Sequence, residues 1–272
     1  MLYLLAETTM SDPHLPAEML DHIVDHLHNT QDALRNCCLV SKSWIPRTRT
    51  HLFADIRFRT SENLRSWKRS FPDPSTSPAR YAKALFVGSF RVVAAGDAEV
   101  GGWIGGFSRV ERLVIGGGNH NERTISLVPF HGFSPILKSL RMAVPALPSS
   151  WIFNLIHSFP LLEDLAVIIR EPPAGNDDGS REDGTPTATQ PSSPPMFTGS
   201  LELYLSRGME PFTRQLVSLP GGIHLRKLIV TLVREGDLLT TMALVRACAR
   251  TLESLDIFKS YCTSIHHLRP HR

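Results

Sequence analysis

His22 and His26 stand four residues apart, a spacing that puts two imidazoles on one face of a helix and begins many zinc sites. The zinc-protease pattern also needs a Glu directly after the first His, to serve as general base, and Ile23 occupies that position. Two ligands do not close a coordination shell, so the pair reads as solvated histidines beside an apolar stripe, with no metal expected. Cys37, Cys38, Cys248 and Cys262 offer the next possible chemistry. None has the spacing of a zinc knuckle, and adjacent Cys37 and Cys38 are poor partners for each other, which suits a reducing intracellular compartment. The chain has no G-x-x-x-x-G-K-[ST] phosphate loop, and Gly101, Gly102, Gly105 and Gly106 form no dinucleotide fingerprint. Gly116 to Gly118 follow an expected strand, but no Lys or Ser/Thr follows in register to hold phosphate. Ser108 and Ser134 each follow Gly-Phe without the second glycine of a nucleophile elbow. Trp67, Trp103 and Trp151 lack the aromatic neighbours of a base-stacking platform and read as core or interface anchors. The terminal IHHLRPHR reads as a tail with exposed histidines. No constellation here would let the chain do covalent chemistry itself, so neither an enzyme nor a cofactor is expected.

Bulk properties narrow the partners. A net charge of +3, with the arginines scattered rather than gathered in a stripe, argues against nucleic acid and anionic membrane. The 42% hydrophobic and 20% charged fractions are ordinary for a soluble globular protein. The opening MLYLLAETTM has no basic region and is interrupted by Glu7, so it does not read as a signal peptide. No apolar run approaches the roughly 20 residues that a membrane span needs. The expected compartment is cytoplasm, nucleus or both. At 272 residues the chain has room for a small module joined to a larger domain.

The elements that would position these residues begin at LPAEMLDHIVDHLHN, residues 15 to 29. Pro16 suits a first helical turn, where its missing N–H is no loss. Met19, Leu20, Ile23, Val24 and Leu27 then form one apolar stripe at helical spacing. Thr30 can cap a second helix carrying Ala33, Leu34, Cys37, Cys38 and Val40, and Pro46 opens a third reaching Leu52 and Phe53. Three short helices in about 40 residues make a small core, and such a unit normally leans on something else. The residues Leu15-Pro16, Glu18, Leu20, Ile23 and Leu27, then Leu34, Cys37, Leu39-Val40, Ser41, Lys42 and Trp44, resemble an F-box, and IPRTRTHLF resembles fungal F-box proteins in particular. The resemblance covers residues 13–53, after a flexible N-terminus at 1–12. It implies docking to the Skp-family adaptor of a Skp–cullin–F-box ubiquitin ligase, and through that adaptor to a cullin. The adaptor-binding residues it implies are Leu15, Pro16, Glu18, Leu20, Ile23, Leu27, Leu34, Cys37, Val40 and Trp44.

Past residue 53 a pattern of spaced apolar residues recurs, with central anchors at 56, 85, 113, 140, 165, 201, 228 and 255. The intervals are 29, 28, 27, 25, 36, 27 and 27, and all but the 36 fall within the length of a leucine-rich repeat. A strand of this kind cannot bury its apolar face alone, whereas stacked neighbours can. Helices are expected in some connectors: from Ser149 through SSWIFNLIHSF, at PFTRQLVSL opened by Pro211, and at LLTTMALVRACAR capped by Asp237. In the last of these Leu239, Met242 and Val245 are available for burial. The glycine-rich or irregular segments 96–106 and 116–130 are poor helix candidates. Residues 171–195, rich in Pro, Gly, Ser and Asp, have almost nothing to bury and are expected to be a disordered insertion. The array resembles the degenerate leucine-rich repeats that often follow fungal F-boxes. It departs from them at the position usually held by Asn, here Ser61, Phe90, Gly118, Pro145, Arg170, Ser206, Val233 and Ser260, so no asparagine ladder forms.

The expected fold is therefore α/β. A three-helix F-box precedes an irregular leucine-rich-repeat-like solenoid at 54–258, in which parallel strands alternate with helices or loops, and a tail follows at 259–272. The expected role is substrate receptor of a ubiquitin ligase. Side chains beside the anchors, Arg57, Phe86, Arg112, Val114, Arg141, Asp164, Glu202, Lys227, Ile229 and Asp256, are expected to line a concave target-binding face. Their mixed signs name no ligand class. Two rivals stand beside this reading: an F-box protein that acts only as a binding scaffold, and an enzyme of unrecognised type, which a deep pocket of clustered ionisable groups would betray.

Overall fold

The computed structural model describes residues 15–73, 76–88, 106–116, 133–144, 158–169, 197–205, 209–219, 221–232 and 236–259. The chain separates into two compact units, divided between Ala54 and Asp55.

The first unit holds helices α1 (Ala17–His26), α2 (Gln31–Val40) and α3 (Ile45–Leu52), with one 3₁₀ turn at Lys42–Trp44. Pro16 stands at the N-cap of α1, and its carbonyl accepts from the N–H groups of Met19 and Leu20 at 3.0 and 3.2 Å. Thr30 stands at the N-cap of α2, but its side chain makes no capping hydrogen bond; its carbonyl accepts from Leu34 instead. Pro46 lies in the first turn of α3, where a missing N–H goes unnoticed. The unit's core is Val24, Leu34, Cys37 and Thr48. Leu34 and Cys37, one turn apart on α2, face inward together. The buried Thr48 hydroxyl donates to the Trp44 carbonyl at 2.7 Å, so its burial leaves no polar group unpaired. At the rim Asp25 of α1 accepts from Arg47 Nε and Nη2 at 2.6 and 2.5 Å and bonds His51 Nε2 at 2.7 Å, which fastens α1 to α3.

The second unit is an eight-stranded parallel sheet whose spatial order follows chain order from β1 to β8. The strands are β1 (Asp55–Phe58), β2 (Ala84–Val87), β3 (Arg112–Ile115), β4 (Ser139–Val144), β5 (Asp164–Ile169), β6 (Phe197–Leu205), β7 (Ile223–Leu232) and β8 (Ser254–Lys259). Register is continuous across the sheet: Ile56, Leu85, Leu113, Leu140, Leu165, Leu201, Leu228 and Leu255 stand directly beside one another. These are the eight anchors of the sequence pattern. Strand side chains alternate between faces, so the residue two beyond each anchor joins it on the inner side. That second row runs through Phe58, Val87, Ile115, Met142, Val167, Leu203, Val230 and Ile257. Both rows are buried on β1 to β7, whereas Leu255 and Ile257 on β8 are about two-fifths exposed, at 41% and 44%.

Behind the inner face the connectors add Phe107, Phe133 and Phe159, all buried, each six or seven residues ahead of its anchor. Phe133 and Phe159 meet edge to face, with ring centroids 6.5 Å apart. This aromatic spine is a feature the apolar pattern did not single out. Helix α4 (Ser61–Ser70) opens the first connector with a reciprocal capping box between Thr60 and Asn63. Its Trp67 packs against Phe58, Phe71 and Phe107, with centroids 5.6, 4.8 and 6.5 Å away. On β6 Gly199 adopts φ +112° at a bulge, and a Cβ there would lie 2.0 Å from the Glu163 carbonyl oxygen. Only glycine fits both the conformation and the space.

Two further connector helices are described, α5 (Met209–Val217) and α6 (Asp237–Cys248). α5 begins two residues before Pro211, so this proline lies within its first turn. On α6 the cap is Gly236 and Asp237 is the first helical residue, which corrects the expected capping role. The buried face of α6 is also other than expected: Thr241, Leu244 and Cys248 turn inward, while Leu239 is 77% exposed and Met242 is exposed too. Apolar residues surround this helix, so their periodicity selects no face. The expected helix from Ser149, apart from Ser158 and Phe159, lies outside the described residues. So do the segments 1–12, 171–195 and 260–272, Trp103 and Trp151, and the asparagine-equivalent positions except Ser61, which opens α4.

Candidate interaction surfaces

In the first unit a closed core is accompanied by large apolar side chains left exposed. Leu15, just ahead of α1, and Met19 and Ile23, one turn apart on it, are exposed. Leu39 and Val40, at the end of α2, are exposed at 85% and 69%. Pro16 and Glu18 are exposed as well, and Leu20, Leu27 and Trp44 are half-buried. Leu34 and Cys37 do not belong to this surface: they are in the unit's own core, which corrects their assignment as contact residues. The physical reason is that a three-helix unit this small must spend one face of α2 on its own core. Met19 and Leu39 were missed as contact candidates, although both lie within the apolar runs already noted.

In the second unit the outward face of the sheet forms a groove of about 570 Å³. Arg57, Phe86, Arg112, Val114, Arg141, Asp164, Glu202, Lys227 and Ile229 all line it, and Asp256 alone of the expected set does not. Two rows make this face. Residues one ahead of the anchors form the first: Asp55, Ala84, Arg112, Ser139, Asp164, Ser200, Lys227 and Ser254. Residues one past the anchors form the second: Arg57, Phe86, Val114, Arg141, Ala166, Glu202, Ile229 and Asp256. The sequence reading drew from both rows without separating them and left out Ala166 of the second row and, of the first, Asp55, Ala84, Ser139 and Ser200. Reading the residue before every anchor would have found the last four.

Within the groove some charges are already engaged. Arg57 grips Asp55 on its own strand through Nε and Nη2 at 3.1 and 2.8 Å, and that carboxylate raises the Arg57 pKa above its ordinary value. Arg141 on β4 reaches Glu202 on β6 at 3.4 Å, across a β5 whose residue in that row is only Ala166. Both pairs are surface pairs and contribute little stability, about 0–1 kcal/mol each. The Ser200 hydroxyl donates to Asp164 Oδ1. Among the described residues no carboxylate pairs with Arg112 or Lys227.

The reactive side chains are placed as follows. Cys248 is buried with its Sγ donating to the Leu244 carbonyl at 3.1 Å, and burial pushes its thiol pKa up. Cys37 is buried and Cys38 half-buried, both as free thiols. The His26 ring bonds back to the His22 carbonyl through Nδ1 at 2.8 Å. Among the described residues no three His, Cys, Asp or Glu gather as a metal-binding group, and no helix is long and apolar enough to cross a membrane. Compared with protein-family models, curated proteins and solved structures, the chain matches none.

Proposed function

We propose that this chain is the substrate-receptor subunit of a Skp–cullin–F-box ubiquitin ligase, working in the cytoplasm or nucleus. In this reading residues 13–53 are an F-box that docks on the Skp-family adaptor and, through it, on a cullin. The parallel sheet is a degenerate leucine-rich-repeat solenoid whose groove face holds a protein target. The observation that carries the reading is the exposure of five apolar side chains, Leu15, Met19, Ile23, Leu39 and Val40, on a unit whose described core is four residues. Supporting it are the Leu-Pro start and the "CLVSKSW" segment on the sequence side. The near 27-residue spacing and the strictly sequential parallel order support the repeat reading. The chain's part in ubiquitin transfer is positioning. Holding a target lysine near the charged enzyme raises effective concentration and needs no catalytic residue of the receptor's own.

The adaptor tests this directly. Leu15 and Pro16 precede α1 and lie outside the unit's core, so replacing both leaves the helices intact. Burying a Leu contributes about 1.5–3 kcal/mol, and truncating an anchor near an interface centre costs about 2 kcal/mol or more. Leu15→Ala with Pro16→Ala should therefore weaken binding to purified adaptor on the order of 30-fold, with circular dichroism unchanged. Undiminished binding by the double variant would place the grip elsewhere. Co-purification of a cullin with the wild-type chain separates a working ligase from a scaffold that binds the adaptor alone.

A further inference from the structure

The first row of the groove face has a regular pitch. Its charges stand on alternate strands with alternating sign: Asp55 on β1, Arg112 on β3, Asp164 on β5 and Lys227 on β7. The intervening strands carry Ala84, Ser139 and Ser200, too small to block the spaces between. Arg57 already holds Asp55, and Ser200 donates to one carboxylate oxygen of Asp164, which leaves Arg112, the second oxygen of Asp164 and Lys227 as an exposed cation–anion–cation comb. Neighbouring strands lie about 4.8 Å apart, so successive teeth are about 9.6 Å apart. One turn of a polyproline-II helix is three residues at about 3.1 Å each, or about 9.3 Å. Side chains at every third position of such a segment therefore meet the comb in step. A β-strand ligand, whose same-face side chains repeat at about 6.6 Å, does not. Beside the comb, Phe86, Val114, Ala166 and Ile229 form a half-buried apolar shelf of the kind that proline rings pack on. A polyanion such as nucleic acid is a poor fit, because Asp55, Asp164 and Glu202 line the same groove.

We propose that this row binds a polyproline-II segment of a partner protein carrying acidic, basic and acidic side chains at every third position. The proposal rests on reading the sheet as the target-holding face, and it names the target's chemistry. Because the pattern is the same from either end, it needs no assumption about chain direction.

The test uses the full chain and labelled synthetic peptides followed by fluorescence anisotropy. The probe is Glu-Pro-Pro-Lys-Pro-Pro-Glu-Pro. One control exchanges Glu and Lys; the other places the same charges at every second position. The chain should prefer the probe to either control by about tenfold or more, and the preference should collapse in about 1 M salt, where exposed charges are screened within about 3 Å. The triple variant Arg112→Glu, Asp164→Lys, Lys227→Glu alters exposed positions only and should invert the preference between probe and charge-exchanged control. Should that variant fail to fold, Arg112→Gln alone should weaken probe binding several-fold. Equal binding of all three peptides overturns the proposal. So does no binding of the probe below about 1 mM, a folded variant that keeps the wild-type preference, or a short single-stranded oligonucleotide that binds as tightly as the probe. A chain that ignores the peptides yet assembles with adaptor and cullin overturns this inference alone. Peptide discrimination without assembly supports the comb and overturns the ligase reading.

Discussion

Asp25 shows how much one side chain can hold together. Hydrogen bonds from Arg47, then from His51, keep its carboxyl well below the usual carboxylate range, against a smaller opposing effect of desolvation. In the unfolded chain the same carboxyl titrates near its ordinary value of about 3.9. As pH falls, the unfolded state therefore takes up the proton first. The stability that Asp25 contributes is present above about pH 4 and is lost progressively as pH drops below it. Asp25→Asn should lower resistance to urea most clearly at neutral pH, and the gap from wild type should shrink as the titration moves into acid. A gap of constant size from neutral pH to pH 2 would contradict this. Nothing in the sequence announces the clamp, because its members lie 22 and 26 residues apart and carry no local signature. The resemblance to an F-box implied Leu34 and Cys37 as contact residues, whereas both are buried in the unit's own core. A motif records residue types, whereas inward or outward orientation is settled by packing.

Among the elements, strands were far more legible than helices. An anchor flanked at two residues by another apolar side chain has only one way to sit in a sheet, since a slip of one residue would expose the whole set. All eight anchors accordingly stand in register. Helix α6 offered no such constraint: its inward face is Thr241, Leu244 and Cys248, with Val245 half-buried, whereas Leu239 and Met242 of the suggested residues are exposed. The two faces make a paired prediction. Leu244→Ala should destabilise the chain by about 2–5 kcal/mol through lost burial and a residual cavity. Leu239→Ala should change stability by less than about 0.5 kcal/mol, because that side chain is already in water. Chemical unfolding of both variants decides it, and equal effects would mean that the helix sits differently on the sheet. The spine of Phe107, Phe133 and Phe159 went unread for another reason: its spacing to the anchors varies by a residue, so it forms no strict motif.

At the scale of the whole molecule, the proposed receptor role requires that no thiol of this chain carry ubiquitin. A ligase that passes ubiquitin through itself needs a reactive thiolate, whereas burial of Cys248 disfavours ionisation and Cys37 is closed in a core. Replacing Cys37, Cys38 and Cys248 with Ala and Cys262 with Ser should leave reconstituted ubiquitylation intact. Loss of activity in a variant that still folds and still binds the adaptor would refute the positioning role. The sequential parallel sheet has a further consequence, which concerns how this chain can change over time. Strand separation is fixed by backbone hydrogen bonds, so the connectors need only span it. Leu165 and Leu201 are 36 positions apart in the chain and stand side by side as Leu201 and Leu228 do at 27. Closing the longer loop costs only about 0.3 kcal/mol more by chain entropy. Insertions and deletions in the connectors are thus nearly neutral for the pitch of the groove, while a single exchange in the row ahead of the anchors rewrites one tooth. The length of this protein and the side chains lining its groove are therefore free to drift independently of each other.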